Sequence, residues 1–154
     1  NHLGALSRFS KLQKVSGDGK ESISFLEGIL NENEGNISLI LGLAQNYRSN
    51  DDVEKAIKLL ENVTNKSALP PGYWIILGDS YLQNNQLPQA KNTFADAVNK
   101  YPRDYILLLR KIGLFEIEKR YDLALKAAME AYKEFPNNLN QYFPSKEEFF
   151  FQNR

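Results

Sequence analysis

Residues 71–104 read PGYWIILGDSYLQNNQLPQAKNTFADAVNKYPRD, and the spacing of large and small apolar residues in this stretch decides the fold. Trp74, Leu77, Gly78 and Tyr81 stand at i, i+3, i+4 and i+7, which places them on one face of an α-helix. Gln83-Asn84-Asn85-Gln86 interrupts that pattern with a polar turn. Pro88 follows it, and proline is tolerated in the first turn of a helix, where an N–H would have no intrahelical partner. Ala90, Phe94 and Ala97 then make a second apolar stripe, which Pro102 ends. The stretch predicts two helices joined by a tight turn.

A shift of 34 residues in either direction reproduces this layout. Forward, Leu108, Ile112 and Phe115 take the places of Trp74, Gly78 and Tyr81. Ala124, Ala128 and Ala131 then match Ala90, Phe94 and Ala97, and Pro136 matches Pro102. Backward, Ile40, Leu43, Ala44 and Tyr47 precede Ala56, Leu60 and Val63. The turns agree too: Asn50 matches Asn84, while Val53, Leu87 and Tyr121 share one apolar position. A weaker fourth copy places Leu6, Phe9 and Ser10 on a first helix and Ser22, Leu26 and Ile29 on a second. Its turn, Ser16-Gly17-Asp18-Gly19, is richer in glycine, and Gln13 replaces the aromatic. It reads either as a repeat or as a diverged helix pair that caps the array.

These residues resemble the tetratricopeptide repeat family, whose loose pattern residues 71–104 carry in full. The resemblance implies an all-α chain, a right-handed α-α superhelix of antiparallel helix pairs with a C-terminal capping helix. It divides the chain into a degenerate pair at 3–36, repeats at 37–70, 71–104 and 105–138, and a capping segment at 139–154. The third repeat departs from the pattern: Lys111 replaces the usual Leu, and Ile112 replaces a small residue. A bulky side chain at that crossing is expected to push the two helices of the pair apart.

Function follows from what a stack of this kind exposes. In the family the first helices line a concave groove. Carried over position by position, the groove here comprises Leu41, Gln45 and Arg48, then Ile75, Asp79 and Leu82, then Ile106, Leu109 and Arg110, with Ser38, Gly113 and Glu116 at the margins. Chaperone-binding members hold a C-terminal carboxylate with Lys, Asn and Arg at fixed groove positions. Those positions read Leu41, Gln45, Ile76, Ile106 and Arg110 here, so only Arg110 survives and a carboxylate clamp is not expected. The apolar groove residues either contact a bound peptide or helix, or are buried between neighbouring repeats. The partner implied is another protein or peptide. The alternative is a structural spacer or assembly element of a longer array, as in bacterial multi-repeat proteins of the envelope, secretion or exopolysaccharide machinery.

Composition narrows the other classes. Lys+Arg and Asp+Glu balance at 19 each, which gives no global reason to expect nucleic acid or an anionic membrane. Cysteine is absent and the single histidine is His2 beside the chain end, so thiolate chemistry is excluded and neither a metal site nor a cofactor is expected. Gly17 and Gly19 lack the lysine and hydroxyl of a phosphate-binding loop. No apolar run is long enough to span a bilayer, so no direct membrane insertion is expected. No arrangement of carboxylates, lysines or tyrosines suggests an enzyme. Cytoplasm and bacterial periplasm or envelope both stay open.

After 138 the repeat loses phase. Pro144 would fall inside a first helix, which rejects proline. Ser145-Lys146-Glu147-Glu148 reads as a capping box opening a short helix. Phe149-Phe150-Phe151 follows, and three consecutive aromatics cannot all face one side. They either seal the end of the stack or serve self-association.

Overall fold

The computed structural model describes residues 19–64 and 68–139. Among these residues there are eight helices and no strand: α1 (Gly19–Glu32), α2 (Ile37–Ser49), α3 (Val53–Glu61), α4 (Pro71–Gln83), α5 (Leu87–Lys100), α6 (Tyr105–Ile117), α7 (Tyr121–Glu134) and the short α8 (Pro136–Leu139). The helices α2, α4 and α6 begin at Ile37, Pro71 and Tyr105, and α3, α5 and α7 begin at Val53, Leu87 and Tyr121, so each series steps by 34 residues. The chain forms two compact units that divide between Leu87 and Pro88. Leu6, Phe9, Ser10 and Gln13 lie outside the described residues, as do Phe149, Phe150, Phe151 and the expected capping box.

One turn design recurs at the ends of α2, α4 and α6. Asp51, Asn85 and Lys119 take left-handed backbone, with φ of 62°, 57° and 59°. The next residue in each case donates its N–H back to the aromatic position of the helix: Asp52 to Tyr47 O at 2.9 Å, Gln86 to Tyr81 O at 2.8 Å, and Arg120 to Phe115 O at 2.8 Å. The left-handed residues donate to Arg48 O, Leu82 O and Glu116 O. This is the Schellman motif, which satisfies the orphan carbonyls of a helix end while reversing the chain.

In the first unit α2 packs on α1, α3 and α4, and α4 also packs on α3. Ala44, Ala56, Leu60 and Tyr73 are completely buried. Removing each of the larger two from water contributes about 1.5–3 kcal/mol. The Tyr73 hydroxyl donates to Leu60 O at 2.9 Å, so a carbonyl at the end of α3 is satisfied inside the core. Trp74 stands edge-on to Tyr73, with ring centroids 5.3 Å apart. The stripe expected through Trp74 and Leu108 is therefore centred one residue earlier: Tyr73 and Leu107 are fully buried, whereas Trp74 and Leu108 are half-buried. α3 is also shorter than expected. It ends at Glu61, and Val63 lies beyond it, half-buried. Asn62, Val63 and Thr64 are all weak helix formers, so the end of the helix lacks local support. Ser22 and Leu26 are buried on α1 and Ile29 is half-buried, on the face the weak fourth copy marked out.

In the second unit Ile112, Ala124, Ala128 and Ala131 form a buried cluster between α6 and α7, with Leu108, Leu109, Phe115 and Tyr132 packed against it. The bulk of Ile112 meets an alanine stripe. Ala128 stands where the preceding copy has Phe94, so volume is moved from one helix to the other. Volume-conserving exchange of this kind is what cores tolerate best.

Candidate partner-binding surface

Caps set the start of each first helix. Asn36 caps α2 by accepting from Leu39 N at 3.2 Å, which gives the triplet Asn36-Ile37-Ser38 a structural role. Pro70 and Pro71 open α4, with Pro71 at the first helical position. Asp104 caps α6 by accepting from Ile106 N at 3.0 Å and Leu107 N at 3.1 Å.

In the first unit α2 and α4 are neighbours, so the side chains proposed for the groove stand on adjacent helices. Leu41, Arg48, Ile75, Asp79 and Leu82 are half-buried, and Ser38 and Gln45 are exposed. Leu41 leans on the opening of α4: its Cδ1 lies 3.8 Å from where a Cβ on Gly72 would stand. Arg48 Nη1 donates to Gln45 Oε1 at 3.1 Å, and Gln83 Nε2 donates across to Arg48 O at 3.2 Å. The apolar residues here are neither sealed in the core nor fully open.

In the second unit α6 places Ile106, Leu109, Arg110 and Gly113 at intermediate exposure and Glu116 in solvent. Leu109 packs against the Ile112 and alanine cluster, so part of it belongs to the core. Of the five clamp positions, Leu41, Gln45, Ile76 and Ile106 are uncharged.

Two tyrosines that periodicity assigned only to packing carry polar contacts. The Tyr47 hydroxyl on α2 donates to the Glu27 carboxylate on α1, and the Tyr81 hydroxyl on α4 donates to Glu61 Oε1 at 2.6 Å. Burial first, then the adjacent carboxylate, pushes both phenols well above their ordinary value of 10.0. Burial also raises Tyr73. The sequence held the signal, because Glu27 and Glu61 share the 34-residue register of Tyr47 and Tyr81. It becomes visible only when α1 is paired with α2 and α3 with α4. Among the described residues no group of three His, Cys, Asp or Glu side chains could hold a metal, and no helix is long and apolar enough to cross a membrane.

Residues 77–138 match the tetratricopeptide repeat family model. No curated protein matches the chain. Solved structures share its fold. MamA is 15% identical, with 86% of this chain and 73% of that one covered and a TM-score of 0.68. A thermophilic tetratricopeptide repeat protein of Thermus thermophilus is 18% identical, with 85% and 73% covered and a TM-score of 0.68. A tetratricopeptide repeat protein from Parabacteroides merdae is 17% identical, with 96% and 57% covered and a TM-score of 0.74. The chain carries tetratricopeptide repeats on the all-α solenoid fold expected from its periodicity. Proteins of this fold are in general protein-interaction modules, and typically scaffolds without enzymatic activity.

Proposed function

We propose that this chain of tetratricopeptide repeats holds a peptide or helix of a partner protein against its first-helix faces, without a carboxylate clamp, the repeats running 37–70, 71–104 and 105–138. The observation that carries this reading is the half-buried apolar set Leu41, Ile75 and Leu82 on the adjacent helices α2 and α4, next to the Arg48–Gln45 hydrogen bond. Half-exposed Leu and Ile still have apolar area to lose, and covering it favours association at about 25 cal/mol per Å². The polar pair beside them can fix the direction of a bound segment. On α6, Ile106, Leu109 and Arg110 supply the corresponding positions of the second unit.

Ile75→Ser and Leu82→Ser together should reduce capture of binding proteins from a cell extract by roughly tenfold, a loss of about 1.4 kcal/mol. Far-UV circular dichroism should show the helical content retained. Retention of the same proteins in the same amounts by the double variant would sink the proposal. Leu109→Ser is a less clean probe, since Leu109 also packs on the α6–α7 core.

A further inference from the structure

Three helix–helix junctions follow one another in the same register: α1 with α2, α3 with α4, and α5 with α6. Their residues can be compared at steps of 34. Ile23 and Ile57 are buried at the first two junctions, and the third has Lys91, which is exposed. Leu43 and Leu77 are buried, and the third has Lys111, also exposed. Glu27 and Glu61 receive the hydroxyls of Tyr47 and Tyr81, whereas the third junction has Ala95 and Phe115, which lack both carboxylate and hydroxyl. Four positions that seal the first two junctions are thus changed together at the third.

The result is a cleft of about 230 Å³ between α5 and α6, with Phe94, Ala95, Leu114 and Phe115 among its walls. Lys91, Lys111, Arg120 and Glu118 also line it. Lys91 donates to the Glu118 carboxylate, and Arg120 Nη1 lies 3.5 Å from Glu118 Oε2. The Arg120 guanidinium sits 5.4 Å from the Phe115 ring centroid. The hydrogen bond from Lys91 holds the Glu118 carboxyl below the usual carboxylate range. Three cations face one carboxylate here, in a chain whose charges otherwise balance.

Size and charge together specify an occupant. The volume falls below the roughly 300–1,000 Å³ of small-molecule pockets and suits a single large side chain. The positive excess favours carboxylates beside that side chain. We propose that the α5–α6 cleft receives one aromatic or large aliphatic side chain, flanked by carboxylates, from an extended acidic segment of a partner protein. This site is separate from the α2 and α4 faces and stands or falls independently of them.

The probe is a fluorescein-labelled peptide carrying one phenylalanine between aspartates in a Gly/Ser background, followed by anisotropy and by amide shifts in isotope-labelled protein. Saturable binding is expected, with shifts concentrated at 91–98 and 111–118 rather than on α2 and α4. Replacing the aspartates by lysine, or the phenylalanine by alanine, should weaken binding by about tenfold or more. Lys111→Glu, at an exposed position, should do the same with helicity unchanged. Ala95→Glu with Phe115→Tyr, which rebuilds the Tyr–Glu pair of the other junctions, should abolish binding and raise the melting temperature. Any of three results overturns the proposal: no saturable binding to the unmodified chain, unchanged affinity in Lys111→Glu and the rebuilt pair, or equal binding of the lysine peptide or of a single-stranded oligonucleotide.

Discussion

Asp51, Asn85 and Lys119 occupy the same left-handed position after three successive first helices, and they differ in how readily they take it. Asn and Asp enter this region more easily than other non-glycine residues because a short polar side chain can hydrogen-bond locally. Lysine has no such compensation, and its Cβ crowds the following carbonyl at a cost of about 1–2 kcal/mol. Lys119 is exposed, so its side chain contributes little packing. Lys119→Gly should therefore stabilise the chain by about 0.5–1 kcal/mol after the entropic cost of glycine is subtracted. Urea unfolding would show this as a higher midpoint at unchanged slope. A midpoint that falls would mean the side chain makes a contact worth more than the strain.

At the scale of the helix, caps decide where the elements begin. Asp104 accepts two backbone N–H groups at the start of α6, while Asp52 makes no side-chain cap bond at the start of α3. Asp104→Ala should cost about 1 kcal/mol, within the range measured for lost N-caps. Asp52→Ala should cost only a few tenths, since its exposed ion pair with Lys55 is worth little. Equal losses in parallel thermal melts would show that the two bonds at Asp104 are not the source of its effect. The missing cap at Asp52 fits the short span of α3, which relies on Ala56, Ile57 and Leu60 in the core rather than on its ends.

For the whole molecule, the stability of a repeat stack is close to a sum of repeat terms and nearest-neighbour interfaces. Two interfaces of the first unit contain a buried tyrosine hydrogen-bonded to a carboxylate. Their raised pKa fixes the sign of a pH dependence. The folded state keeps Tyr47 and Tyr81 protonated above pH 10.0, where unfolded tyrosine ionises, so the unfolded chain binds fewer protons there. The contribution is fully present below pH 10.0 and is lost as pH rises beyond it, by at most about 1.4 kcal/mol per pH unit for each tyrosine. Trp74 is the single tryptophan and lies in this unit, so its fluorescence reports the transition. Urea midpoints followed at Trp74 should fall steeply between pH 9 and 11 (about one unit either side of the unperturbed tyrosine). Tyr47→Phe with Tyr81→Phe should flatten that fall, and an unchanged slope would contradict the linkage.

Repeat phase, helix starts and turn positions are local properties, and they were legible in the chain alone. Side chains at i, i+3, i+4 and i+7 must share a helix face, and identical spacing 34 residues on must give an identical hairpin. That is why Gly78, Ala90 and Ala97 marked the close approaches correctly, and why the clamp could be set aside from Leu41, Gln45, Ile76 and Ile106. The depth of each residue was not legible. Tyr73-Trp74-Ile75-Ile76-Leu77 is apolar all round, so periodicity offered no phase, and only packing against α3 selected Tyr73 as the buried ring. The wedge expected at Ile112 was likewise decided by its partner helix, where Ala128 leaves the space. The Tyr–Glu bonds and the α5–α6 cleft belong to the same class. They join residues 20 apart in Tyr47–Glu27 and Tyr81–Glu61, on different helices, and such contacts exist only once those helices have docked.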